Sequence, residues 1–112
     1  MKKEFLNKKF ETMGPDELRS IQEEKFLKQL DYIWGKSPFY QRKFKEHGIG
    51  RGDIRGLEDL KTLPFTEKDE LRKSQEEFPP LGLHCAAPMK DIIRIHSSSG
   101  IVRPRCSFIV CR

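Results

Sequence analysis

From Leu18 to Trp34 apolar side chains recur at three- and four-residue steps, through Ile21, Phe26, Leu27, Leu30 and Ile33. That spacing predicts an amphipathic helix with one face directed inward. Gly14-Pro15-Asp16-Glu17 marks its start, because proline suits the first turn and acidic groups favour the positive helix end. Gly35 is expected to stop it. A second helix opens at Ser37-Pro38, with Ser37 as cap and Pro38 in the first turn, and closes at His47-Gly48. Tyr40 and Phe44 lie one turn apart on one face of it. Residues 49–56 hold three glycines and read as a loop. Leu57, Leu60 and Leu63 suit a short helix closed by Pro64. Thr66 with Asp69 resembles a capping box, heading a short helix to about Ser74. Residues 78–89, with Pro79, Pro80, Gly82 and Pro88, read as a long loop. Asp91-Ile92-Ile93-Arg94-Ile95-His96 is β-branched and mostly apolar, as in a strand. Residues 1–13, charged with scattered Phe5, Leu6 and Phe10, read as a loose helix or an extended arm.

The expected fold class is therefore mainly α with a short β segment. Composition bounds it further. The chain has 112 residues, 36% hydrophobic and 35% charged, which allows one small domain but not a large self-sufficient core. Some apolar residues are expected to seek partners outside such a core. The net charge of +5 raises nucleic acid as a partner. However, Arg103, Arg105 and Arg112 lie in the last twelve residues with no acid beside them, and the other 19 of the 22 basic groups face 17 acidic ones. Lys and Glu alternate along the helices as on solvated faces, so no concentrated phosphate-binding footprint emerges. A small basic helical module that binds nucleic acid or protein is the alternative reading, resting on the net charge and the basic tail.

The three cysteines, Cys85, Cys106 and Cys111, lack the spacing of a zinc site, and no metal site is expected. Their odd number, with no hydrophobic signal region after Met1-Lys2-Lys3-Glu4, fits a reducing cytoplasm. No apolar stretch approaches the roughly 20 residues of a membrane helix, so no membrane partner is expected.

The most informative chemistry sits where the isoleucine-rich strand runs into Ser97-Ser98-Ser99-Gly100. Small hydroxyl residues and glycine let a backbone approach an anion closely, and hydroxyl and N–H groups can then hold phosphate oxygens. Taken alone, a serine-rich turn after a strand is usually a plain connection.

Several blocks of the sequence resemble, in order and spacing, the opening of phenylacetate–CoA ligases, a branch of the adenylate-forming superfamily. The first is Ser37-Pro38-Phe39-Tyr40 followed by Phe44. The second runs through Asp53-Ile54, Leu57-Glu58-Asp59-Leu60 and Leu63-Pro64-Phe65-Thr66, with Lys68 and Leu71-Arg72. The third is Arg94-Ile95-His96 with Ser98-Ser99-Gly100. Together they span roughly residues 18–100.

The resemblance implies four regions: a charged arm (1–13), the N-terminal helical region of the ligase (14–90), the first strand of the large α/β domain with the first half of its ATP-phosphate loop (91–100), and an aberrant basic tail (101–112). It assigns Ser97, Ser98, Ser99 and Gly100 to nucleotide contact and carries over no catalytic residue. In the intact family ATP, Mg²⁺ and coenzyme A are the cofactors, and a small carboxylic acid of the aryl-acetate class is the substrate. The family loop continues Thr-Thr-Gly-x-Pro, whereas this chain reads Ile101-Val102-Arg103-Pro104-Arg105. The expectation is a truncated or frameshifted ligase without tight cofactor binding or activity of its own.

The remaining candidates have plainer readings. Trp34, Phe39, Tyr40 and Phe44 suit a core better than an acyl pocket. His96 reads as structural and His47 as a helix-end group. Lys68 and Arg72 read as solvated. Glu67, Asp69 and Glu70 form an acidic helix start, and Cys85 has no charge beside it that would activate a thiol.

Overall fold

A computed structural model describes residues 4–97 and, as backbone, 107–111. Among the described residues four α-helices precede a two-stranded antiparallel sheet. They are α1 (Lys8–Glu11), α2 (Pro15–Lys36), α3 (Pro38–Glu46) and α4 (Lys68–Glu77), followed by β1 (Ile92–Ser97) and β2 (Ser107–Cys111). Two short 3-10 segments, Arg51–Asp53 and Leu57–Thr62, link α3 to α4. The mainly helical architecture follows the spacing of apolar positions. The N-terminal arm forms one turn, α1, capped by the Asn7 side chain.

α2 does not stop at Gly35. It continues to Lys36 because the terminating geometry belongs to Ser37. Ser37 precedes Pro38, whose ring excludes the helical conformation from the residue before it. Ser37 accordingly sits at φ −107°, ψ 103°, and serves both helices. Its N–H donates to the Ile33 carbonyl at 2.9 Å, closing α2. Its Oγ accepts from the Tyr40 N–H at 3.4 Å, opening α3. The residue is only 1% exposed. The Gln41 side chain donates to the Trp34 carbonyl at 2.8 Å, bracing the same corner. Gly48 ends α3 with φ +66°, a conformation that costs other residues energy.

The corner folds α3 back along α2. Leu30, Phe44 and Ile54 form the buried core, with Phe26, Ile33, Trp34, Tyr40, Ile49 and Leu63 packed around them. Trp34 stacks on Phe44 with centroids 4.6 Å apart. Polar contacts hold the 51–62 segment along α2. Arg51 pairs with Asp31 at 2.5 Å, Arg19 pairs with Glu58, and Glu23 accepts from the Leu57 N–H at 3.0 Å. Gly56 permits the last contact, since a Cβ there would meet the Glu23 carboxylate at 2.7 Å.

β1 pairs with β2 in register Arg94↔Val110, Ile95↔Ile109, His96↔Phe108 and Ser97↔Ser107. Part of the basic tail thus forms a strand that contains Cys111, while Cys106 lies outside the described residues. Among the described residues no helix is long and apolar enough to cross a membrane.

Because one buried hydroxyl caps α3 at the corner, Ser37→Ala is expected to lower unfolding free energy by about 1 kcal/mol. Urea denaturation followed by circular dichroism measures this.

Candidate functional site

β1 carries the chain to the position where a phosphate loop is expected. Ser97 is the last residue of the strand, opposite Ser107, and its side chain is exposed. Ser98, Ser99 and Gly100 lie outside the described residues. The strand Ile92–Ser97 coincides closely with the predicted Asp91–His96. His96 is exposed on β1, and so are Ile93 and Ile95.

The aromatic residues divide between two surroundings. Trp34, Tyr40 and Phe44 belong to the core region, as the periodicity suggested. Phe39 points elsewhere: it meets the Tyr40 ring edge-on at 5.2 Å and the His84 ring at 6.2 Å. Together with Phe78 and Leu83 it lines a cavity of about 230 Å³ between α3 and α4.

The dominant electrostatic feature of that cavity is Lys43. Its side chain is 8% exposed, yet it carries an ammonium. Nζ donates to both oxygens of Glu70, at 2.7 and 2.8 Å, and lies 3.5 Å from Thr66 Oγ1 and 5.8 Å from the Phe39 ring centroid. A buried ammonium is tolerable only when paired and hydrogen-bonded. Glu70 also accepts from the Glu67 N–H at 2.7 Å. The hydrogen bond from Lys43, then that from Glu67, holds the Glu70 carboxyl below its usual range.

These contacts correct two expectations. The residue preceding α4 is Glu67, with Glu70 reaching back, in place of Thr66 with Asp69. Thr66 Oγ1 instead lies 3.4 Å from the Tyr40 hydroxyl. Arg72 is not solvated: its side chain is 14% exposed and pairs with Asp69 at 2.5 Å. Lys68 is exposed as expected. His47 caps α3 through Nδ1, 2.8 Å from the Lys43 carbonyl oxygen.

Lys43 itself escaped sequence reasoning. Its signal was positional, four residues after Phe39 and three after Tyr40, which places a charge on the apolar stripe of α3.

The 78–89 loop is tied to α4 by Ser74, whose Oγ accepts from the Leu83 N–H at 2.8 Å. His84 Nδ1 lies 3.4 Å from the same oxygen, and burial lowers the His84 pKa. Cys85 is half-buried, its thiol donating to the Ala87 carbonyl at 3.3 Å. Among the described residues, no group of three or more His, Cys, Asp or Glu side chains is arranged to hold a metal.

The Lys43–Glu70 pair has a defined pH signature. A carboxyl whose pKa is depressed by folding contributes stability above its usual value, and that contribution fades as pH falls through the folded-state value. Acid titration of stability is therefore expected to show a component that Glu70→Gln removes. Glu70→Gln should cost about 1–2 kcal/mol, less than the 3–5 of a fully buried pair because the carboxylate is 41% exposed. Lys43→Met should cost less, since no buried charge is stranded. Urea midpoints of the two variants between pH 3 and 7 measure both effects.

No family model matches the chain. It is 40% identical over 90 residues to phenylacetate-coenzyme A ligase of Thermus thermophilus, a match covering 80% of this chain and 19% of that protein. The Escherichia coli enzyme of the same name is 37% identical over the same length, covering 20% of the enzyme. A solved structure of 2-hydroxyisobutyryl-CoA ligase, in complex with 2-HIB-AMP and CoA, superposes with TM-score 0.81 at 30% identity, over 90% of this chain and 21% of that one. The chain thus spans about one fifth of the length of the relatives it matches. With the order of its elements and the strand leading to Ser97, these likenesses place the chain in the phenylacetate–CoA ligase family, as a segment matching the N-terminal part of an adenylate-forming CoA ligase.

Proposed function

We propose that the chain provides the helical region and leading strand of an ATP-dependent, AMP-forming ligase that joins an aryl-acetic acid to coenzyme A, with Ser97, Ser98, Ser99 and Gly100 contributing to the phosphate loop. The observation that carries this reading is β1 ending in an exposed serine, within a chain 40% identical to a phenylacetate–CoA ligase. An exposed hydroxyl at a strand end, followed by small residues, suits a triphosphate: it offers a donor without a bulky side chain in the way. When bound, ATP supplies the activated phosphorus that the carboxylate attacks, and Mg²⁺ offsets the charge of the phosphates. The role of Ser97–Gly100 is to steady phosphate oxygens during that attack.

The chain alone is expected to be inactive, because the acid pocket, the adenine contacts and the second half of the loop are not supplied by its residues. Incubation of the purified 112-residue protein with ATP, Mg²⁺, phenylacetate and coenzyme A should release no AMP or pyrophosphate above the blank. Residues 4–100 grafted in place of the aligned segment of the Thermus ligase should support AMP formation. Replacing Ser98-Ser99 by alanines in that graft should lower kcat by about 10²–10³-fold, the scale for losing a preorganised donor. Unchanged kcat in the double variant would refute the loop assignment, and AMP release by the isolated chain would refute its inactivity.

A further inference from the structure

Two openings differ sharply in lining. The α3–α4 cavity is bordered by Arg42, Lys43, Glu46, Glu70, Lys73 and Glu77, a water-compatible mouth of balanced charge. The groove between α2, α3 and the 57–66 segment, of about 340 Å³, has no charged residue in its lining, although 35% of the chain is charged. Phe26, Ile33, Tyr40, Phe44 and Leu63 form its walls, and Leu60 and Phe65 stand at its edge. Phe65 is 93% exposed and Leu60 50%. The core beneath buries Leu30, Phe44 and Ile54, and Phe65 is not among the residues packed against it. An opening without charges, beside an exposed aromatic, has the composition of an interface centre, not of a site for a polar metabolite.

From this we infer that the groove is the seat on which the body of an AMP-forming CoA ligase docks, through an apolar surface closing over Phe65 and Leu60. The inference rests on the family reading above and goes beyond it by naming the contact. The relatives contain the occupant in their own length: the matched stretch is 19% of the Thermus ligase, and four-fifths of that polypeptide lies outside it. A ligase body is favoured over a second copy of this chain because in four phenylacetate-coenzyme A ligases the matched stretch makes up only 19–20% of the protein.

The test compares the 112-residue chain with a chimera in which residues 4–97 replace the aligned segment of the Thermus ligase, whose own phosphate loop is retained. Hydrogen exchange of the 57–66 amides should slow by about tenfold or more in the chimera, and Phe65→Asp should abolish that protection. In the isolated chain Phe65→Asp should leave exchange and melting unchanged. Equal exchange in both proteins overturns the inference, and so does self-association of the isolated chain that Phe65→Asp abolishes. If the chimera does not accumulate, the chain is co-refolded with a tagged ligase body lacking the aligned segment. Recovery with the wild-type chain but not with Phe65→Asp supports docking, and any other result overturns it. An inactive chimera with a protected groove counts against the ligase reading alone, whereas an active chimera with an unprotected groove counts against docking alone.

Discussion

The stacking of Trp34 on Phe44 across the Ser37–Pro38 corner is the contact on which the other packing depends. It brings the longest helix and its successor together, and the core of Leu30, Phe44 and Ile54 forms only once they lie side by side. Ile54 arrives from a connecting segment with little regular structure of its own. It is 1% exposed because Arg51, Arg19 and Glu23 tie that segment to α2. An exposed ion pair contributes little by itself, so these ties act chiefly as placement, while burial supplies the stabilisation.

The second helix pair is held by different physics. Between α3 and α4 the contact is an ammonium under Phe39 whose charge is met by Glu70. Pairs of this kind seldom exceed a hydrophobic substitute in stability, since desolvation offsets the attraction. They do discriminate among arrangements: a rotated α4 would leave Lys43 buried and unpaired. The lowered Glu70 pKa is the same fact seen from the carboxylate. Specificity in this region is therefore electrostatic, whereas between α2 and α3 it is aromatic packing.

This division explains what the sequence disclosed. Local backbone chemistry was legible: Pro15, Ser37-Pro38, Gly48 and Pro64 mark element ends because each restricts or frees the backbone whatever surrounds it. The strand was legible from its β-branched residues. Gly35 misled, because a glycine ends a helix only where the following residues cannot continue it, and here Pro38 set the boundary through Ser37. The offset from Thr66 to Glu67 arose because Glu70 serves a distant lysine and a local N–H at once. Lys43 was invisible to composition, since its pairing spans 27 residues of sequence and depends on how α4 docks. Of the loop residues, the strand predicted where Ser97 stands, while Ser98, Ser99 and Gly100 lie outside what the structure describes.

The distribution of apolar surface carries the last step. Only Leu30, Phe44, Ile54 and Leu81 are buried hydrophobics among the described residues, while Leu60, Phe65, Phe78, Met89, Ile93 and Ile95 remain substantially exposed. A chain this rich in charge does not lack polar residues with which to cover itself, so its exposed apolar residues are not forced by composition. Leu60 and Phe65 fall on the rim of the uncharged groove, Ile93 and Ile95 lie along β1 with Met89 just before it, and Phe78 borders the cavity that the charged side chains surround. A sequence selected only to close its own core has no reason to keep one opening entirely free of charge. One that also presents surfaces to a larger enzyme does, because each place where water must be excluded is then kept free of charge in advance.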